Sequence, residues 1–177
     1  MKTDHYRCLE SGLLAIDSKI SSVDDLLLRL LFANLITLLE VYLQSVMYHL
    51  VEHDPKLLLN LAKSKKFKAR KVPIHFALAS DPKRYMLQLI GEINFHNLSD
   101  VEPLYREVFS IKIPIKDETL TMIGLRHDVV HRNGFTKEGT PVRINAGVLK
   151  QAADSIRDLT ETVDQKLLGI YAPLFSK

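Results

Sequence analysis

Thiol chemistry is almost absent from this chain. Cys8 is its one cysteine, which excludes an intramolecular disulfide and a multi-cysteine zinc site and fits a reducing compartment. The opening MKTDHYRCLESG lacks the charged-then-apolar layout and the small-residue cleavage site of a secretory signal, so a cytoplasmic protein is expected. Charge of neither sign is in great excess: the net value of +3 permits a polyanionic partner without requiring one. There is no internal repeat and no low-complexity stretch. One run, Leu26 to Val51, is long and apolar enough to raise a membrane question, but it carries Arg29, Asn34, Glu40, Gln44 and His49. Charges at such depth are costly in lipid, so no membrane partner is expected.

What is present is the material of an ordinary globular core. Apolar residues make up 46% and charged residues 25% of 177 residues, which suits one domain with a core of Leu, Ile and Val. Residues 1–22 read as an N-terminal segment and 23–177 as a single helical domain. Within the apolar run, Arg29, Ala33, Thr37, Glu40, Gln44, Tyr48 and Glu52 recur every three to four residues, the less apolar stripe of a mostly buried helix from about Val23 to His53. Ser22, three residues before Asp25, has the form of a capping box variant.

Asp54-Pro55 ends that helix and opens a short one through KLLLNLA, because proline is welcome at a first helical position. Asp81-Pro82 starts another through KRYMLQLIGEINFHN, and Ser99 or Asp100 is read as the cap of VEPLYREVF. SIKIPIK, holding Pro114, is a connector or an edge strand at most. Asp117 is read as the cap of ETLTMIGLRHDVVHR, with Met122, Ile123, Leu125, Val129 and Val130 on its buried side. Asn133-Gly134 is a strong stop, since both tolerate a left-handed backbone. Asn145 caps a last helix with Val148, Ala152, Ile156, Leu159, Val163, Leu167 and Ile170 at helical spacing. The expected fold is all-α, a bundle of five to six helices with one long member.

The chemistry gathers in RHDVVHRNGF, residues 126 to 135. An arginine and a histidine are a sufficient minimum for metal-free RNA cleavage. Imidazole titrates near neutrality and moves the proton of a 2′-hydroxyl, while guanidinium holds the phosphate and its growing charge. Arg126 and His131 are five apart, about 140° around an ideal helix, whereas His127 and His131, four apart, share a face. The same Arg-to-His spacing recurs from Arg70 to His75, but Pro73 lies between them and no helix presents that pair.

RHDVVHRNG, taken with LFANLITLLEVYL upstream and IGEINFHNLSDVEPLYREVF between them, resembles the HEPN superfamily, and more narrowly its bacterial members with an Arg, polar residue, three further residues, His motif. The resemblance covers roughly residues 25 to 170. It implies a HEPN-like helical bundle, a homodimer joining two motifs in one cleft, and metal-independent endoribonuclease activity of the kind found in toxins of toxin-antitoxin pairs and in phage-defence effectors. It also implies RNA as substrate, a possible antitoxin or defence-system partner protein, and no cofactor or metal. Arg126 and His131 fall on the catalytic pair and His127 on the polar residue. Asp128 and Asn133 fall on positions expected to supply orienting hydrogen bonds, and Glu40 on a similar LExYL stretch whose role is open. Some similar proteins are non-catalytic adaptors or nucleotide-binding modules.

Other readings remain open at this level. Asp128 either orients an imidazole or pairs with Arg132 four residues on. The run KSKKFKARK is either a solvated loop or a strip that contacts RNA through Lys65, Lys66, Lys68, Arg70 and Lys71, joined by Arg132, with Phe67 available to stack on a base. His49 and His53 have helical metal spacing but no third ligand.

Overall fold

A computed structural model describes residues 1–20, 23–79 and 81–176. The protein is all-α. Among the described residues eight helices follow in order: α1 Asp4–Asp17, α2 Asp25–His53, α3 Pro55–Lys63, α4 Ile74–Ala79, α5 Pro82–Gly91, α6 Leu98–Phe109, α7 Asp117–His131 and α8 Ala146–Tyr171, with a 3-10 turn at Ala172–Leu174. Among the described residues the one β-type pairing is an isolated antiparallel bridge between Phe135 and Pro141.

α2 is the axis of the molecule and packs against α1, α3, α5, α7 and α8. Leu35, Ile36, Leu39, Leu43, Val46, Met47 and Leu50 on it are fully buried, each such side chain contributing about 1.5–3 kcal/mol of apolar burial. By length and composition α2 also passes for a membrane-crossing helix, with mean hydropathy 1.9, a property shared by the central helices of packed bundles. Its cap is Asp24, whose side chain accepts from Leu27 N–H; Ser22, expected in that role, lies outside the described residues. Asp54 closes the helix and its carboxylate accepts from Lys56 N–H at the start of α3.

The expected division at residue 22 does not describe the packing. α1 lies against both α2 and α8 and buries Tyr6, Leu9, Leu13 and Ile16. Their spacing of three and four is that of a core-facing helix. Gly12 permits the close approach: a Cβ there would lie 2.7 Å from Leu38 Cδ2. The chain therefore has more helices than the five or six expected, the additions being α1 and the short α4. Three smaller expectations are also corrected. The stretch after Asp81 ends at Gly91, and α6 begins at Leu98 after Asn97 rather than at a Ser99 or Asp100 cap. Asp117 sits in the first turn of α7, after Lys116 at the cap position. Val130 and Ile170, placed on buried faces by periodicity, are exposed.

Candidate functional site

α7 places the titratable stretch. Asp117 and Glu118 in its first turn and His131 in its last match the helix dipole. Its Thr119 and Met122 are buried, and Ile123, Leu125 and Val129 pack partly on the core. The stop works as the residues dictate. Arg132 N–H and Gly134 N–H both donate to Asp128 C=O at 3.1 Å, with Asn133 at φ 52° and Gly134 at φ 84°. The chain then folds back on itself, Val142 N–H donating to Gly134 C=O at 2.8 Å and Thr136 N–H to Thr140 C=O at 2.9 Å.

The structure sorts the candidate residues unevenly. His127 and His131 come together, their ring centroids 4.7 Å apart on an exposed face. Arg126 lies elsewhere: it is half-buried, its Nε is shielded from solvent and has no hydrogen-bond partner among the described residues, and about 140° of helix separates it from His131. Asp128 takes the second of its two readings and pairs with Arg132. Asn133 contributes through its backbone, its left-handed φ making the stop rather than a side-chain hydrogen bond. The one carboxylate of the motif is thus paired with Arg132, and its charge also acts on the His127 imidazole.

His127 opens onto a shallow groove of about 510 Å³ together with Asp128, Arg132, Thr136 and Lys137. Partial loss of hydration, then the charges of Arg132, His131 and Arg126, hold its imidazole below the usual range against the opposing pull of Asp128. On the other side of the stop, Arg29 from α2 crosses over the buried Gly134. A second open cavity of about 580 Å³ there is lined by Asp25, Arg29, Arg143 and Asn145. Arg29 is a cation of this region that sequence reasoning left out, since nothing local links it to α7.

Gly134 is tested directly by this geometry. An added Cβ would stand 2.6 Å from Arg29 Nη1 at a φ of +84°, so Gly134→Ala is expected to cost about 1–2 kcal/mol in urea unfolding. In an Arg29→Ala background the steric part disappears and only the backbone part, about 1 kcal/mol, remains. An equal cost in both backgrounds would show that Arg29 does not lie over the glycine.

The basic run after α3 is remote from this site. Lys65 N–H donates to Glu107 at 2.8 Å near the end of α6, whose Tyr105 hydroxyl reaches Leu43 C=O. Leu43 stands about 21 Å along α2 from Arg29. Lys65, Lys66, Lys68, Arg70 and Lys71 are exposed, but Arg70 is engaged by Glu92 and by the Tyr85 hydroxyl, both at 3.0 Å. Phe67 is buried, 7% exposed, and is a core residue rather than a stacking platform.

Two polar clusters lie outside the motif. Asp164, buried on α8, accepts from Thr3 N–H at 3.1 Å, Thr3 Oγ1 at 2.5 Å and Tyr42 Oη at 3.2 Å, tying α1, α2 and α8 together. Glu40, of open role in the sequence, pairs with His96 ahead of α6. At the other end of α2, His49 and His53 meet a third histidine, His5 of α1, at 5.2 Å between the His5 and His49 rings, and Phe175 stacks on His49 at 5.4 Å. The His49 ring also shares a hydrogen bond with Leu174 C=O at 3.0 Å. Among the described residues no group of three or more His, Cys, Asp or Glu is arranged to hold a metal.

Burial first, then the neighbouring His49, lowers the His5 pKa from 6.5, against Asp164 and Asp4. Below that value the unfolded chain takes up a proton that the folded chain resists, so the folded state loses stability as pH falls. The melting temperature is expected to drop between about pH 7.5 and pH 5.5, and to drop less in His5→Gln. Identical pH profiles for the two chains would remove His5 from the account.

No family model, curated protein or solved structure matches the chain.

Proposed function

We propose that the chain is a metal-independent endoribonuclease of HEPN type, serving as a toxin or phage-defence effector and acting as a homodimer. The reading is carried by one observation: His127 and His131 stand side by side on an exposed face at the end of α7, a pair of imidazoles with Arg132 beside them and Arg126 on another side of the same helix. Such a group suits an anionic substrate whose own 2′-hydroxyl is the nucleophile. His131 takes the hydroxyl proton, the 2′-oxygen attacks the adjacent phosphorus, and the 5′-oxygen leaves with a proton returned by an imidazole. Arg126 stabilises the phosphorane. The products are a 2′,3′-cyclic phosphate and a 5′-hydroxyl.

The angular separation of Arg126 and His131 within one chain gives the dimer its purpose: the arginine of one copy serves the histidine of the other, and the two His131 side chains divide the acid and base roles. Arg29 and Arg143, beside the stop, extend the positive surface along which an RNA strand is held. The test is cleavage of RNA in excess EDTA by the wild-type chain and its loss in Arg126→Ala and His131→Ala.

A second reading is a non-catalytic adaptor or nucleotide-binding module, and the half-burial of Arg126 favours it. An adaptor leaves RNA intact and is harmless on expression, and a nucleotide-binding module is stabilised by a mononucleotide through mass action.

A further inference from the structure

The segment 63–84 is strongly basic by composition. It holds eight cations, Lys63, Lys65, Lys66, Lys68, Arg70, Lys71, Lys83 and Arg84, against one carboxylate, Asp81, a balance of +7. The whole chain carries only +3, with 24 cations and 21 carboxylates. The rest of the protein, sixteen cations and twenty carboxylates by subtraction, is therefore net acidic at −4. Of the eight cations, Arg70 is the one with an ion pair among the described residues, to Glu92.

The middle of this basic segment is apolar and uncovered. α4 projects Ile74 at 78% and Leu78 at 83% exposure, the two most exposed aliphatic side chains after Met1 in position-by-position comparison. Among the described side chains of α4, His75, Ala77 and Ala79 are exposed as well. Two aliphatic side chains four residues apart lie on one face, one turn above the other. A folded domain has no reason to hold such a pair in water, and a collar of lysines on both flanks does nothing to hide it.

We propose that α4 and its flanking lysines dock the protein on an anionic lipid bilayer, Ile74 and Leu78 entering the headgroup boundary while Lys65, Lys66, Lys68, Lys71, Lys83 and Arg84 engage lipid phosphates and carboxylates. The charge complementarity selects an acidic surface. The exposed aliphatics select lipid over RNA. A nucleic acid offers them no partner, and the one aromatic of the lysine run, Phe67, is buried and cannot stack. A protein partner would need a groove shaped to this pair of side chains, whereas a fluid bilayer accommodates a protruding tip without one. The expectation of no membrane partner rested on the unsuitability of α2 as a span, and peripheral contact through α4 makes no demand on α2.

The experiment is cosedimentation of the full chain with vesicles of phosphatidylcholine alone and with about one third phosphatidylserine, at low and high salt, alongside anisotropy with a single-stranded RNA. The expected result is binding to the anionic vesicles only. It weakens by about fivefold for each cation removed in Lys66→Gln and Lys68→Gln and at least tenfold in the double variant Ile74→Ser with Leu78→Ser. Those serine changes sit on exposed positions, so an unchanged melting curve verifies the fold. Absence of binding to anionic vesicles overturns the proposal. So does vesicle or RNA binding that responds to the lysines and is indifferent to Ile74 and Leu78, since that pattern marks a general polyanion contact. None of these outcomes depends on RNA cleavage, so the ribonuclease reading can fail without touching this one.

Discussion

RNA incubated with the wild-type protein in excess EDTA is expected to be cut, and the same RNA with His131→Ala to remain intact within at least a hundredfold loss of rate. Arg126→Ala is expected to lose about a hundred to a thousandfold, the range for removing a group that stabilises transition-state charge. The losses arise from different steps, so they separate on inspection of pH dependence. Without His131 the 2′-hydroxyl loses the imidazole assigned to take its proton. Without Arg126 that transfer survives but the phosphorane charge is unopposed. Mixed dimers sharpen the argument. If the arginine of one copy serves the histidine of the other, combining Arg126→Ala chains with His131→Ala chains restores one Arg126–His131 pair per dimer, though not the second His131, and so only part of the activity. Arg132→Ala is a useful contrast, because it frees the Asp128 carboxylate beside the motif and is expected to slow cleavage by neutralising a neighbouring cation. Cleavage that survives unaltered in both the arginine and the histidine variants, or that vanishes with EDTA alone, would sink the proposal. The ends supply an independent check: a cyclic phosphate resists a phosphomonoesterase until it has been opened by acid.

Asp164→Ala is expected to be the most destabilising polar substitution in the protein, by about 3–5 kcal/mol. The carboxylate is 2% exposed and accepts three hydrogen bonds from two other helices. Its removal leaves Thr3 N–H, the Thr3 hydroxyl and the buried Tyr42 hydroxyl without a partner, each an unsatisfied donor in a region that water does not reach. Tyr42 feels the same site from the other side: burial, then the Asp164 charge, pushes its phenol far above the usual range, so it is always the donor. For a chain of this size the loss corresponds to a melting temperature lower by about 10 °C. Asp164→Asn keeps acceptor capacity on one oxygen and is expected to lose less than half as much. Tyr42→Phe removes a single bond and serves as the mild member of the series, at about 1 kcal/mol. A cost below about 1 kcal/mol for Asp164→Ala would mean that the N-terminal helix is not held by this carboxylate.

The helices that carry long periodic faces were readable before any coordinates. α2 and α8 have apolar residues at three- and four-residue spacing over many turns, and their ends carry Asp54-Pro55 and Asn145, side chains that satisfy exposed backbone groups in place. The stop after α7 was equally legible, because Asn133 and Gly134 tolerate a backbone that other residues resist. α1 was legible in principle. Tyr6, Leu9, Leu13 and Ile16 have the spacing of a buried face, but a fourteen-residue element at a chain end competes with the expectation that ends fray. α4 gave no such signal, since six residues complete fewer than two turns and establish no period. Phe67 misled for a related reason: its immediate neighbours Lys66 and Lys68 are basic, and only the tertiary packing puts the ring in the core.

By itself the sequence determined that this chain is helical, where most of its helices stop, and that its imidazoles and guanidiniums crowd one helix end, because capping, periodicity and backbone tolerance act over a few residues along the chain. Tertiary structure alone decided which of those groups stay unpaired. Arg126 Nε is shielded without a hydrogen-bond partner among the described residues, Arg29 arrives over Gly134 from another helix, and Asp164 is closed in by Thr3 from 161 positions away. Charge pairing and desolvation depend on separations of a few ångströms between segments remote in sequence, and no local pattern encodes those distances.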